Sequence, residues 1–179
     1  SLISAGYWHA GYSLVADCYG RGRVLLAGDA VHLFTPHGGL GYNTAVDDVA
    51  NLGWKLAAML KGYGGPALLP SYEVERRPAG VRNTGIARHF ADSFGNFVPS
   101  GHLEETSAIG EREREAASAY LNDHVRREFN IPGVTFGVRY DGSPIVFEGG
   151  APPSDSITHY QPSGVPGGRA PHLWTNAEV

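Results

Sequence analysis

A short apolar run, a glycine-rich loop and a long amphipathic segment follow one another between residues 22 and 56, and this order most constrains the fold. Residues 24–27 form an apolar run bounded by glycines, which is typical of a strand buried on both faces of a parallel sheet. The run ends in Gly28 and Asp29, so a carboxylate follows the carboxyl end of the strand. Open α/β sheets bind their ligands at that edge. The pattern therefore predicts an α/β fold with a ligand site there.

The loop at residues 35–41 contains glycines 38, 39 and 41 and leads into a helix predicted over 42–61. Glycine lets the backbone approach a flat ligand without a collision at Cβ. The backbone N–H groups of Gly41, Tyr42 and Asn43 would be free at the helix start, where the helix dipole favours negative charge. An ordinary loop before an ordinary helix is the competing interpretation. For Asp29, likewise, hydrogen bonding to hydroxyl groups of a ligand and capping of a turn both stay open.

Apolar residues recur every three to four positions along the predicted helix, and this period predicts which face is buried. The expected buried positions are Ala45/Val46, Val49, Leu52/Gly53, Leu56 and Leu60. The polar residues Asp47, Asp48, Asn51 and Lys55 are expected to lie largely on other faces.

Further elements are predicted along the rest of the chain. A second helix starts near Ser71, its expected N-cap, and is expected to kink or break at Pro78. A third helix covers 111–129, and alternating polarity predicts a strand at 134–140. Residues 141–179 are rich in Pro and Gly and are expected to be extended.

Composition excludes several classes of partner. The formal net charge is −4 without a long basic run, which argues against nucleic acid. No apolar stretch is long enough to span a bilayer, and the eight histidines show no metal-ligand spacing. The single cysteine agrees with a cytoplasmic location. We therefore expect no nucleic acid, no membrane and no metal.

Many residue types at fixed spacing carry a resemblance to a known family. They are Gly28-Asp29-Ala30-Val31-His32, Pro36, Gly38-Gly39-Leu40-Gly41-Tyr42-Asn43, Asp48, Asn51-Leu52, Trp54-Lys55-Leu56, Ser71-Tyr72-Glu73, Glu75-Arg76-Arg77-Pro78 and Arg169-Ala170-Pro171-His172. This set resembles the FAD-dependent aromatic hydroxylases, the p-hydroxybenzoate hydroxylase-like group that includes phenol hydroxylases and polyketide ring hydroxylases. The resemblance is strong over 23–78 and covers nearly the whole chain.

The resemblance implies an α/β fold that is part of an FAD-binding Rossmann-like domain, with C-terminal helices and an extended tail. Residues 1–20 would end the sheet of the substrate-binding domain. Residues 21–130 would form the C-terminal part of the FAD-binding domain, and 131–179 a linker toward a missing thioredoxin-like domain. No Gly-x-Gly-x-x-Gly pattern follows a strand, so we expect the N-terminal βαβ half to be missing and the chain to be a C-terminal fragment.

The resemblance also assigns roles to the loop. The FAD-binding residues it implies are Gly28, Asp29, Pro36, Gly38, Gly39, Leu40, Gly41, Tyr42 and Asn43. Asp29 would hydrogen-bond the ribityl chain, and the backbone of Tyr42 and Asn43 would bind the pyrimidine edge of the flavin. Pro36 would sit beside the flavin at the substrate cavity, together with His37. The family more often has Thr at the position of His37, which is either a neutral replacement or an added ionisable group.

The implied function is that of a flavoprotein monooxygenase. The parent protein would use FAD, NAD(P)H and O2 to hydroxylate a phenol- or polyketide-like aromatic molecule, and a homodimer is compatible with this. This chain would supply flavin contacts but no catalytic acid or base, so the isolated chain is expected to be inactive. Two alternatives stay open: a non-catalytic remnant that keeps the fold without binding FAD, and a related flavoprotein such as a halogenase or reductase.

Overall fold

The computed structural model describes Ser4, Gly6 and residues 12–174. The first part of the predicted segment 1–20 therefore lies outside the described residues. Within them the chain is mixed α/β, as predicted. The elements are β1 (Leu14–Val15), β2 (Gly20–Arg21), β3 (Val24–Leu25), β4 (His32–Leu33), α1 (Leu40–Leu60), α2 (Pro70–Gly95), α3 (Ala108–Phe129) and α4 (Pro132–Phe136), with 3-10 turns at Gly28–Ala30 and His37–Gly39.

The strands are short and pair in two antiparallel ladders. β1 pairs with β4, with Leu14 opposite Leu33, and β2 pairs with β3 around a turn in which Gly22 has a φ of 61°. The strand expected to be buried on both faces is β3, yet Val24 is 65% exposed. Its only hydrogen-bonded neighbour among the described residues is β2, and that pairing is antiparallel. The prediction of a buried parallel strand is wrong for this part of the chain.

Helix α1 is confirmed, but its buried face is not the one predicted. The buried side chains are Leu40, Thr44, Asp48, Asn51, Lys55 and Ala58. From Thr44 to Ala58 these positions alternate steps of four and three residues, which is the spacing of one helix face. Val46 and Val49, expected inside, are exposed. The polar face packs on α2 because α2 supplies its charged partners.

Helix α2 is one continuous helix from Pro70 to Gly95. Pro70 occupies the first turn, where a missing N–H does no harm, and Leu69 rather than Ser71 is the N-cap. Pro78 lies inside the helix without ending it. An interior proline costs about 3 kcal/mol, and the extensive packing of α2 outweighs that cost.

The third helix is confirmed as α3, and its N-cap Ser107 accepts a hydrogen bond from the Gly110 N–H at 3.1 Å. The strand predicted at 134–140 is wrong, because the short helix α4 begins with Pro132 at its first turn. Beyond it, residues 141–174 contain neither helix nor strand, as expected for the tail.

Two small apolar clusters lie beneath the loop region. One contains Leu40 of α1, Val134 of α4 and three residues of α2: Ile86, Ala87 and Phe90. The other contains Tyr19, Val31 and Tyr72. Among the described residues, no helix combines the length and apolarity needed to cross a bilayer.

Candidate functional site

A buried carboxylate, Asp48, lies at the centre of the predicted site region. Its Oδ2 accepts hydrogen bonds from the Gly28 N–H at 3.2 Å and lies 2.7 Å from His32 Nε2. Its Oδ1 accepts from Arg76 Nε at 2.8 Å. Burial opposes ionisation, but the hydrogen bonds from His32 and Arg76 outweigh it and hold the pKa of Asp48 below its usual value. Asp48 therefore joins α1, α2 and the turn after β3 as an anion.

The Gly28 turn is fixed by this carboxylate and by close packing. Gly28 has a φ of 60°, and a Cβ built on it would lie 3.2 Å from Ala45 Cβ. A residue with a side chain at this position would therefore have an unfavourable backbone conformation and a close contact with Ala45. The neighbouring Asp29 is exposed, and within the described part of the chain its side chain makes no hydrogen bond or ion pair. The turn thus presents a free acceptor to the surroundings.

The glycine loop is held from one side and open on the other. Gly38 and Gly39 both have left-handed φ values, 71° and 62°. A Cβ on Gly38 would meet the Phe90 ring at 3.2 Å, whereas a Cβ on Gly39 would meet no atom within 4 Å. Leu40 is buried in the apolar cluster directly below. The loop therefore exposes backbone at Gly39 while its two neighbours anchor it.

The start of α1 has no side-chain cap. Its N-cap is Gly39, and the first N–H groups of an α-helix have no partner within the helix. Tyr42 is 80% exposed, and the Asn43 side chain donates to the Gly39 carbonyl at 2.7 Å. Gly41 packs on Phe34, since a Cβ there would meet Phe34 Cβ at 3.3 Å. This end of α1 offers backbone donors and the positive end of the helix dipole to a ligand.

A second buried charge network fixes α1 to α2 further along. Glu75 accepts hydrogen bonds from Lys55 Nζ at 2.5 Å, Asn51 Nδ2 at 2.7 Å and Ser143 Oγ at 2.7 Å. Burial opposes its ionisation, but these three donors outweigh it and hold the pKa of Glu75 below its usual value. Ser71, predicted as an N-cap, instead accepts from Lys55 Nζ.

His37 lies in the loop but turns toward α2 and α3. Its ring centroid is 5.8 Å from that of Phe94 and 6.5 Å from that of His124. His37 Nδ1 is buried and has no hydrogen-bond partner among the described residues. His32, the other histidine of this region, is buried, and its Nε2 is hydrogen-bonded to Asp48.

The structure brings the predicted residues to one region, since Gly28 and the loop both pack on the first turns of α1. Among the described residues no cluster of metal-ligand side chains is present. A cavity of about 230 Å³ between α2, α4 and the tail is lined by none of the predicted site residues. The predicted site therefore lies outside this cavity.

The sequence interpretation missed the supporting network. Asp48 was expected away from the buried face of α1, and Arg76 was noted only as part of a motif. The available signal was the four-three spacing of polar residues on α1, which is as regular as the apolar one.

A flat ligand with an anionic edge fits this arrangement. The uncapped helix start provides donors, Gly39 provides close backbone approach, and Asp29 provides an acceptor for hydroxyl groups. The isoalloxazine ring and ribityl chain of FAD have these features.

Comparison with known proteins agrees with this fit. Residues 6–86 match the family described as FAD binding domain. The phenol 2-monooxygenase of Pseudomonas sp. (strain EST1001) is 39% identical over 173 residues, which cover 86% of this chain and 28% of that protein. A putative polyketide hydroxylase of Streptomyces halstedii is 36% identical and aligns with 93% of this chain and 26% of its own length.

Solved structures give the same result. The rebeccamycin biosynthetic enzyme RebC with reduced flavin superimposes with a TM-score of 0.78 at 41% identity, over 90% of this chain and 30% of that one. The flavin-dependent monooxygenase PieE in complex with FAD and substrate gives a TM-score of 0.71 at 33% identity, over 90% and 31%. The chain spans less than a third of the length of these relatives. By its matched segment, its relatives and its fold, the chain carries part of an FAD binding domain of the kind found in FAD-dependent aromatic-ring hydroxylases.

Proposed function

We propose that the protein carrying this chain is an FAD-dependent monooxygenase that uses NAD(P)H and O2 to hydroxylate a phenol- or polyketide-like aromatic molecule. The observation that carries the proposal is the uncapped start of α1 behind two left-handed glycines, open on the side away from Phe90. The names of the relatives, which include a phenol monooxygenase and a polyketide hydroxylase, support the choice of substrate class.

The residues of this chain would bind and orient the flavin. The backbone of Gly41, Tyr42 and Asn43 would donate to the pyrimidine edge, where the helix dipole stabilises negative charge on the reduced ring. Asp29, exposed and without a partner among the described residues, would accept hydrogen bonds from the ribityl hydroxyls. Pro36, which is exposed, would lie beside the ring on the substrate side. His37 follows it in the loop, but its ring turns away toward Phe94 and His124, which favours the neutral replacement over an ionisable group at the flavin.

The bound flavin supplies the electron transfer and oxygen activation of the reaction. The chain's own contribution is position, exclusion of water on the Phe90 side and electrostatic support. We propose no acid or base from this chain, because Asp48 and Glu128 are buried and already paired and Asp29 is assigned to the ribityl hydroxyls. The cytoplasmic location and the homodimer stay predictions.

The test is FAD loading in the protein at its full natural length. Asp29→Ala should weaken FAD binding about tenfold, the effect of losing a hydrogen bond to a charged acceptor, while Asp29→Asn should weaken it less. Asp17→Ala, an exposed carboxylate on the chain between β1 and β2, is the matched control. The dissociation constant is measured by quenching of flavin fluorescence, and turnover by NAD(P)H oxidation with added phenols.

Equal FAD affinity in wild type, Asp29→Ala and Asp17→Ala would overturn the role of Asp29. A full-length protein that binds no FAD would overturn the proposed function and favour the non-catalytic alternative. A protein that binds FAD and oxidises NAD(P)H without forming a hydroxylated product from any aromatic would favour a reductase.

A further inference from the structure

A carboxylate from the far end of α3 contacts the glycine loop. Glu128, ninety residues from Gly38 in sequence, accepts a hydrogen bond from the Gly38 N–H through Oε1 at 2.7 Å. Its Oε2 lies 2.8 Å from His124 Nε2. Both oxygens of the carboxylate are thus engaged, one by the loop and one by its own helix.

The position of Glu128 is unfavourable for α3 itself. It lies in the last turn of the helix, next to Phe129, where the dipole is negative and basic residues such as Arg126 and Arg127 are favoured. Glu128 is also only 9% exposed, so its charge gains little from water. The pair with His124 engages only one of its oxygens, and the hydrogen bond from the loop engages the other.

Gly38 needs an external acceptor. It has a left-handed φ of 71° within the 3-10 turn, and α1 begins only at Leu40, so the α-helix does not use its N–H. Phe90 packs against it on the buried side. Glu128 therefore completes the anchoring of the loop from the buried side and leaves Gly39 open on the other.

His124 holds Glu128 in place. It is buried, and its Nδ1 lies 3.2 Å from Ser93 Oγ on α2, while its Nε2 faces Glu128. Its ring also packs against Phe94 and His37. The loop, the end of α2 and the end of α3 are therefore joined through one hydrogen-bonded chain.

We propose that Glu128 is a positioning residue that fixes the glycine loop in the geometry that receives the flavin ring. The proposal rests on the proposed function for its ligand, but the anchoring itself belongs to the protein without flavin. The acceptor oxygen of Glu128, rather than its charge, is the feature that sets the loop.

The experiment compares three variants in the full-length protein. Glu128→Ala removes the acceptor, and Glu128→Gln keeps an acceptor oxygen without the charge. Tyr120→Phe is the matched control, because Tyr120 Oη donates to the Ser93 carbonyl at 2.6 Å and joins α3 to α2 without touching the loop. Three quantities are measured: FAD affinity, the positions of the flavin absorption bands, and deuterium exchange of a peptide covering residues 35–41 in flavin-free protein.

We expect Glu128→Ala to weaken FAD binding about tenfold, to shift the flavin bands and to speed exchange in the 35–41 peptide. Glu128→Gln should restore all three to near wild-type values, and Tyr120→Phe should lower the melting temperature without changing them. If Glu128→Ala does not fold, Glu128→Asp, one methylene shorter, replaces it in the same comparison.

Two results would overturn the proposal. One is a Glu128→Ala protein that behaves like Tyr120→Phe, with lower stability but unchanged FAD affinity and loop exchange. The other is equal loss in Glu128→Gln and Glu128→Ala, since glutamine keeps the acceptor. Wild-type protein that binds no FAD contradicts the proposed function alone, because exchange of the flavin-free loop still decides whether Glu128 anchors it.

Discussion

Helix α1 buries a polar face and exposes an apolar one, which is the reverse of most surface helices. The face toward α2 carries Asp48, Asn51 and Lys55, all buried and hydrogen-bonded. The other face carries Val46 and Val49, which are exposed in the described structure. Both faces repeat with the same helical period, so periodicity places the helix without telling which side is covered.

The polar face is stable inside because each of its charges meets a partner with good geometry. Isolated buried charges are strongly unfavourable, and paired ones are tolerated only when the remaining hydrogen-bonding positions are satisfied. Asp48 has three donors and Glu75 has three. The buried face of α1 is therefore the face whose side chains find partners on α2, and the polarity of those side chains does not decide it.

Removing one of these partners tests the comparison most strongly. Arg76→Met leaves the Asp48 carboxylate buried without its cation, and we expect a loss of about 3–5 kcal/mol in unfolding free energy. The measurement is urea unfolding followed by circular dichroism. Arg88→Met is the control on the same helix, because its pair with Asp92 is exposed and 3.7 Å long, and it should cost less than about 0.5 kcal/mol. Equal losses in the two variants would show that the buried network does not hold α1.

Local pattern predicted the helices and the loop well. The predicted helix at 42–61 is observed at Leu40–Leu60, and the glycine loop with its left-handed positions lies directly before it. The family resemblance carried the prediction of the FAD-binding domain. These features depend on neighbouring residues, so a single sequence contains the information.

The rest depends on pairs that are distant in sequence. Lys55 and Glu75 are 20 residues apart, and Gly38 and Glu128 are 90 apart. The periodicity of nearby residues does not predict such pairs. The predicted strand at 134–140 is replaced by α4, because Pro132 starts a helical turn that the alternating polarity does not indicate. The flavin contacts of the loop residues stay predictions until a bound cofactor tests them.

Low pH should reduce the stability that the buried carboxylates Asp48 and Glu75 give to the fold. Asp48 and Glu75 have folded-state pKa values below their usual ones, because the donors that surround them outweigh the opposing effect of burial. Between the folded and unfolded pKa values the unfolded chain binds more protons, so these groups stabilise the fold fully above about pH 4 and lose that effect as the pH falls further. We expect unfolding free energy to fall below about pH 4, with a shallower acid slope in Glu75→Gln. An identical slope in both proteins would contradict the assignment to Glu75.

The smallest effect is expected on the apolar face. Val49 is 60% exposed, and Val and Asn have similar helix propensities, so Val49→Asn should change the unfolding free energy of this chain by no more than about 0.5 kcal/mol. Ala58→Asn places the same side chain on the buried face, where Ala58 is 1% exposed, and should cost about 2 kcal/mol or more. Both variants are measured by the urea unfolding used for Arg76→Met. If Val49→Asn were the more costly of the two, the valine face would be the covered one, and the assignment of inside and outside on α1 would have to be reversed.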